Sequence, residues 1–280
     1  MDKIKNISEE LKEWIIHTLQ SGVSPLAICN GLIKKGFDPK FAYETLFEIV
    51  GNGSVTNINH AYQYEPIHIS DQGNILHTSD REVYIRAKSI KPVIIQFENV
   101  LSDDECNLLI QLAKDRLQPS KVIDANSGAE KAAAGRTSKG MYFRLQENEL
   151  IAKIERRIAE ITNYPLVNGE GLQVLNYQIG EEYKGHYDFF PEKKVDPSKG
   201  GQRIATMLLY LNDVEAGGET IFPKTGQLIV PRRGSAVFFH YGNSLGEVDR
   251  LSLHSSIPVE SGEKWVATKW IRQHNIYHGA

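Results

Sequence analysis

Cysteine is nearly absent from this sequence. Cys29 and Cys106 are its two thiols, too few for a disulfide framework or a thiolate zinc site. Lone cysteines suit a reducing compartment. Long apolar runs are lacking too, and no stretch approaches the ~20 residues of a membrane span. The N-terminal MDKIKNISEELKEW alternates charges with isolated apolar residues, so it has no signal-peptide core. These absences set the expectation of a cytoplasmic protein with no membrane partner. An excess of one charge sign is missing as well: 32 Lys and Arg face 35 Asp and Glu, a net charge of -3. That balance offers no electrostatic reason to expect nucleic acid as a partner. No phosphate loop, nucleophile elbow, dinucleotide fingerprint or internal repeat is present.

What is present reads as an ordinary globular chain, with 41% apolar and 24% charged residues over 280 positions. Residues 1–51 are expected to form a small three-helix unit. Leu11, Trp14, Ile15 and Leu19 repeat at helical spacing. Ser24-Pro25 and Asp38-Pro39 each supply an N-cap followed by proline at the first helical position, and Gly36 and Gly51 stand where C-terminal caps fall. This unit is a structural appendage or a docking module for a protein partner. Residues 52–80 turn polar without a sustained period and read as a linker. Residues 81–280 are expected to form the main domain.

Strand alternation runs over Val83–Ile90 and Val93–Phe97. Ser102 and Glu105 form a capping box for a helix whose apolar positions are Leu108, Leu109, Leu112 and Ala113. Asn126–Gly140, rich in Gly, Ala and Ser, reads as a loop. Leu150, Ile151, Ile154, Ile158 and Ile161 mark a second amphipathic helix. Short strands follow at Leu172–Gln178, His186–Phe190, Ile204–Leu211, Thr220–Phe222, Ala236–Tyr241, Leu253–Val259 and Trp265–Ile271, with a clear turn at Gly217-Gly218. Two helices followed by about seven strands predict an α+β fold, a helix-buttressed β-sandwich or open barrel.

His186 and Asp188 lie two residues apart in a strand-like segment, which would send both side chains to one face. A His-x-Asp pair is common by chance and needs a third ligand. His254 and His240 both sit on apolar-flanked strands; His254 is the better candidate, His240 a structural histidine. Two His and one carboxylate leave half of an octahedral ion open, which suits non-haem Fe(II). A structural zinc would close its shell with four protein ligands. Lys264 follows His254 by ten residues and enters a segment of Trp and Val. A buried ammonium needs an anionic partner, and a dicarboxylate chelating the metal at its other end would supply one. Thr220 could donate a hydroxyl to the same group.

Three segments carry a resemblance to a known family. LQVLNYQIGEEYKGHYD (172–188), GGQRIATMLLYLNDVEAGGETIFP (200–223) and SLHSSIPVESGEKWVATKWIR (252–272) resemble, in order and spacing, the core of prolyl 4-hydroxylases. The likeness extends over roughly Ile90 to Arg272. It implies a double-stranded β-helix (jelly-roll) and an Fe(II)- and 2-oxoglutarate-dependent dioxygenase that consumes O2 and releases succinate and CO2. L-ascorbate would serve as reductant. His186, Asp188 and His254 would bind Fe(II). Lys264, Thr220 and Tyr177 would hold the distal carboxylate of 2-oxoglutarate, and Trp270 would border the metal's open side. Arg136, Ser138, Tyr183 and Arg203 match positions that meet a proline-containing peptide substrate hydroxylated at C4. Two positions depart from the pattern: Gly185 stands where proline is frequent, and Met141-Tyr142 where tryptophan often appears. Tyr142 therefore bears on substrate fit. The same chemistry on another side chain or a small molecule is the first alternative, and a non-catalytic binding scaffold the second.

Overall fold

The computed structural model describes residues 8–20, 23, 25–38, 41–42, 45–46, 49, 62–71, 73–119, 121–123, 130–132 and 137–277. The chain divides into two compact units, Met1–Gln63 and Tyr64–Ala280. In the first, α1 (Glu9–Gln20) and α2 (Pro25–Lys34) are followed by helical turns at 41–42, 45–46 and 49. Pro25 opens α2 as expected. Its end is closed by Gly36 at φ +97°, with Phe37 N–H donating to the Leu32 carbonyl, a left-handed cap suited to glycine. Asp38 accepts from Phe41 N–H as an N-cap. Ile15, Leu19, Ile28, Leu32, Leu46 and Ile49 form the core. Trp14, expected on the buried face, is half exposed. The second half of the Asp38-Pro39 signal, together with Ser24 and Gly51, lies outside the described residues.

The second unit contains β1 (Ile75–His77), β2 (Glu82–Ile90), β3 (Val93–Glu98), α3 (Asp103–Lys114), β4 (Gln118–Pro119), β5 (Lys121–Ile123), β6 (Glu130–Ala132) and β7 (Lys139–Tyr142). Then come α4 (Glu149–Thr162), β8 (Gln173–Tyr177), β9 (Tyr183–His186), β10 (Arg203–Tyr210), β11 (Ala216–Gly217), β12 (Thr220–Phe222) and β13 (Gln227–Ile229). β14 (Ala236–His240), β15 (His254–Ser256), β16 (Val259–Ser261) and β17 (Lys264–Arg272) complete it. A nine-stranded sheet runs β1-β2-β3-β14-β10-β17-β8-β7-β4, and a four-stranded sheet runs β13-β12-β15-β9. Together they form the double-stranded β-helix.

Two-residue periodicity decides what each strand of the large sheet shows to either side. In β17, Trp265, Ala267 and Ile271 join Leu109 of α3 and Ile151, Ile154 and Ile158 of α4 in one core. On this side Lys269 pairs with Glu155 of α4 at 2.5 Å. The alternate residues Lys264, Val266, Thr268 and Trp270 face a cavity. Leu175, Tyr210, Phe222, Val237, Phe239 and Val266 pack between the two sheets.

Several expectations are corrected. The polar stretch 52–80 is not a linker throughout: from Tyr64 onward it belongs to the second unit, with Ile67, Ile69 and Leu76 buried. Sparse apolar residues suffice there because β2 supplies the hydrogen-bond partners of β1. The capping box of α3 forms as expected, but Leu108 and Leu112 are exposed while Glu105, Cys106, Leu109 and Ala113 turn inward. The reason is electrostatic. Arg157 of α4 is buried and donates twice to Glu105 at 2.8 Å and to Asp80 at 2.5 and 3.0 Å. The Asn126–Gly140 loop is shorter than expected: β6 pairs with β5, and Lys139-Gly140 already belong to β7.

Candidate active site

The strand expected at His186–Phe190 is displaced. β9 ends at His186, and Asp188 lies beyond it, so strand alternation does not bring the two together. His186 is instead the cross-strand partner of His254 on β15, with ring centroids 4.2 Å apart. Asp188 turns in from the exit of β9, where Thr206 Oγ1 of β10 donates to its Oδ2 over 2.7 Å. Its carboxylate lies 3.6 Å from His186 Nε2 and 3.7 Å from His254 Nε2. Among the described residues these three are the one group of His, Cys, Asp and Glu whose ligand atoms converge as for a metal, all within 4.8 Å.

Hydrogen bonding sets the nitrogen that faces the centre. His186 Nδ1 lies 2.9 Å from the Lys184 carbonyl, and His254 Nδ1 lies 3.0 Å from the Ser252 carbonyl. A carbonyl can only accept, so Nδ1 carries the hydrogen in both rings and each Nε2 lone pair is left for a metal. Burial, with His186 beside it, lowers the His254 pKa to about 4, giving a neutral imidazole at pH 7. Burial opposes charge on Asp188 as well, but His254, His186 and Arg203 outweigh it and hold that pKa well below the carboxylate range. Two imidazole Nε2 lone pairs and one carboxylate therefore fit a divalent ion such as Fe(II) with open positions.

The cavity beside them measures about 460 Å³ including its mouth. Lys264 lies in its wall, 1% exposed, and Nζ donates to Ser256 Oγ over 2.7 Å. Burial lowers its pKa to about 7, against a partial offset from Glu219. A buried ammonium hydrogen-bonded to a neutral hydroxyl has room in its electrostatics for an anion. Tyr177 is the register partner of Lys264 on β8, and Thr220 accepts from the Tyr210 hydroxyl at 2.8 Å. Gly217 and Gly218 make the turn before Thr220 with φ of +72° and +70°. A Cβ on Gly217 would meet the Pro258 carbonyl at 2.3 Å, so only glycine lets β11 approach β16 here.

The remaining expected residues divide. Tyr183 lines the cavity and stacks on His186 at 3.5 Å. Trp270 lines it as well, and Tyr142, 53% exposed, lies 6.4 Å from the Trp270 ring. Ser138 is buried outside the cavity wall. Arg203 does not line the cavity either. Glu170 holds its guanidinium with two bonds of 2.7 Å, against the Trp270 ring at 3.9 Å. Arg136 lies outside the described residues. His240 is on the helix side of the sheet, 2.8 Å from the Tyr164 hydroxyl, and is not brought to the metal site. Sequence reasoning missed Thr206, Ser256 and Tyr210. Period-two alternation along β10 and β15 was the available signal, since Thr206 and Tyr210 are separated by four residues and Ser256 follows His254 by two.

Fold and site define an Fe(II)/2-oxoglutarate oxygenase, and residues 172–272 match the 2OG-Fe(II) oxygenase superfamily. The chain is 38% identical over 214 residues to Prolyl 4-hydroxylase 5 of Arabidopsis thaliana, covering 70% of this chain and 73% of that protein. It is 41% identical over 202 residues to Probable prolyl 4-hydroxylase 3 of the same plant, covering 65% and 70%. A solved viral collagen prolyl hydroxylase from Paramecium bursaria Chlorella virus-1, in complex with 2OG, is similar at a TM-score of 0.53 and 32% identity. That match covers 64% of this chain and 95% of the viral one. The chain belongs to the prolyl 4-hydroxylase family.

Proposed function

We propose that this protein hydroxylates prolyl residues at C4 in a peptide or protein substrate. The observation that carries the reading is the convergence of His186, Asp188 and His254 beside a cavity that also holds the buried Lys264. In this reading the two Nε2 atoms and the Asp188 carboxylate hold Fe(II), and Lys264 and the Thr220 and Tyr177 hydroxyls hold the distal carboxylate of 2-oxoglutarate. Bound iron, with 2-oxoglutarate and O2, supplies an oxidant for an unactivated C–H bond and releases succinate and CO2. The protein orients and shields. Thr206 steadies Asp188, the Nδ1 bonds keep both imidazoles aimed, and Val266, Leu208 and Phe239 give the cavity apolar walls.

The prolyl assignment draws support from the relatives, which are named as prolyl 4-hydroxylases. Tyr183, Tyr142 and Trp270, at or beside the cavity, are proposed to meet the substrate, with Arg203 acting through Trp270; Arg136 and Ser138 are proposed as substrate residues from the family resemblance. L-ascorbate is the proposed reductant for uncoupled turnovers. The N-terminal unit, which exposes Trp14, is proposed to dock a protein partner. A cytoplasmic setting is proposed from the two cysteines, both free and buried.

The test supplies the full chain with Fe(II), 2-oxoglutarate, ascorbate and a proline-rich peptide, and reads peptide mass and succinate together. The expected result is a gain of one oxygen on proline, matched by succinate and abolished in Asp188→Ala. Succinate coupled to a different substrate, with no gain on any prolyl peptide, refutes the prolyl assignment.

A further inference from the structure

The polar wall at the Lys264 end of the cavity has a direction. An ammonium has no lone pair, so Lys264 Nζ must donate to Ser256 Oγ, 2.7 Å away. Tyr210 likewise donates its hydroxyl to Thr220 Oγ1 over 2.8 Å. Ser256 and Thr220 are cross-strand partners on β15 and β12, both buried and both lining the cavity. Each hydroxyl oxygen already accepts from a neighbour, which leaves its own hydrogen for an acceptor in the cavity. An ammonium and two hydroxyls so arranged form a cluster of donors. A carboxylate, with two oxygens and about four lone-pair sites, is the group that satisfies such a cluster.

We infer that Ser256 is a direct co-substrate-binding residue that donates, beside Thr220, to the distal carboxylate of 2-oxoglutarate. Tyr210 is the positioning residue that occupies the Thr220 oxygen and so turns the Thr220 hydrogen toward that carboxylate. The inference rests on the assignment of Lys264 to the same carboxylate. It deepens that assignment by explaining the ligand class: the wall selects a 2-oxo acid with a second carboxylate over one without. Ser256 also closes the geometry, because the same hydroxyl accepts from the Lys264 ammonium and donates its own hydrogen bond to the carboxylate.

The experiment titrates the full chain, loaded with Co(II), with 2-oxoglutarate and separately with 2-oxobutyrate, which keeps the chelating head and lacks the distal carboxylate. Ser256→Ala is expected to lower 2-oxoglutarate affinity about tenfold or more while leaving 2-oxobutyrate within about twofold. Tyr210→Phe is expected to show the same selectivity with a smaller loss. If Ser256→Ala does not fold, Ser256→Cys, close in size and a weak donor, carries the same expectation. A merely structural role would weaken both ligands together. Parallel weakening, or unchanged 2-oxoglutarate affinity in the Ser256 variant, overturns the inference. A wild-type protein that binds Co(II) but does not prefer 2-oxoglutarate overturns the Lys264 assignment itself, which separates the two failures.

Discussion

Lys264→Met removes a charge from the cavity wall while keeping an unbranched chain of similar length. Burial carries the Lys264 ammonium from an ordinary pKa of 10.5 down to about 7. The charged form is therefore disfavoured relative to the neutral one by a free energy on the order of 4–5 kcal/mol. At pH 6 the group is charged in both folded and unfolded chains, so the folded, ligand-free protein bears that cost in full. Methionine relieves it. After allowing for the lost bond to Ser256, Lys264→Met is expected to raise ligand-free stability at pH 6 by about 1–4 kcal/mol. The pH dependence has a definite sign. Between about pH 7 and 10.5 the unfolded chain holds the proton that the folded chain has lost, so wild-type stability rises with pH across that window. The variant lacks this component of the rise. The binding consequence of the proposed Lys264–carboxylate pairing is opposite: wild-type affinity for 2-oxoglutarate is expected to fall as pH climbs above about 7, and the variant to lose the affinity throughout. The assay is urea unfolding of the full chain with EDTA at several pH values, paired with 2-oxoglutarate titration of the Co(II) form. A less stable variant at pH 6, or one retaining affinity within about threefold, refutes the reasoning.

Other perturbations test neighbouring parts of the structure. Thr206→Val removes the donor to Asp188 Oδ2 and is expected to weaken Co(II) binding about 10- to 100-fold, with Thr206→Ser restoring it; equal metal affinity in Thr206→Val would remove Thr206 from the site. His254→Ala is expected to abolish metal-dependent succinate formation, and persistent turnover would refute the metal assignment. Arg157→Met removes two hydrogen bonds from the buried Glu105, leaving it Lys153 at 3.1 Å and Arg81 at 3.7 Å, and is expected to destabilise the protein by about 2–4 kcal/mol, read from the urea midpoint. Burial raises the Glu105 pKa, but the Arg157 and Ser102 bonds prevail and lower it from 4.5 to about 2. Its contribution is thus complete above pH 4.5 and lost as pH falls toward 2. Acid titration of the midpoint should be flatter over that window in Arg157→Met, and an unchanged slope would refute the pairing.

Much of the second unit was legible because period-two burial survives in the sequence. The strand at Trp265–Ile271 is recovered within β17, and alternation along it separates Lys264 from Trp265. The Ser102–Glu105 capping box was equally plain, being a local pattern. Reading failed where one side chain served a distant partner. Glu105 turns inward for Arg157, 52 residues away, and exposes Leu108 and Leu112. Asp188 looked like a strand neighbour of His186, yet the strand ends first and a threonine on another strand positions it. Arg203 carried no sign in the sequence that Glu170 would engage it.

The sequence by itself determined which chemical groups were available: two imidazoles, a carboxylate and a lysine at spacings that implied an oxidising iron site. Those follow from residue type and order, which need no folded context. Tertiary structure decided how they converge. The β9–β15 pairing sets His186 against His254, the Nδ1 bonds choose the nitrogen that faces the metal, and the β12–β15 pairing seats Ser256 beside Thr220 next to Lys264. Register and hydrogen-bond direction arise only when distant strands meet, because a strand's own residues do not specify what lies across from them.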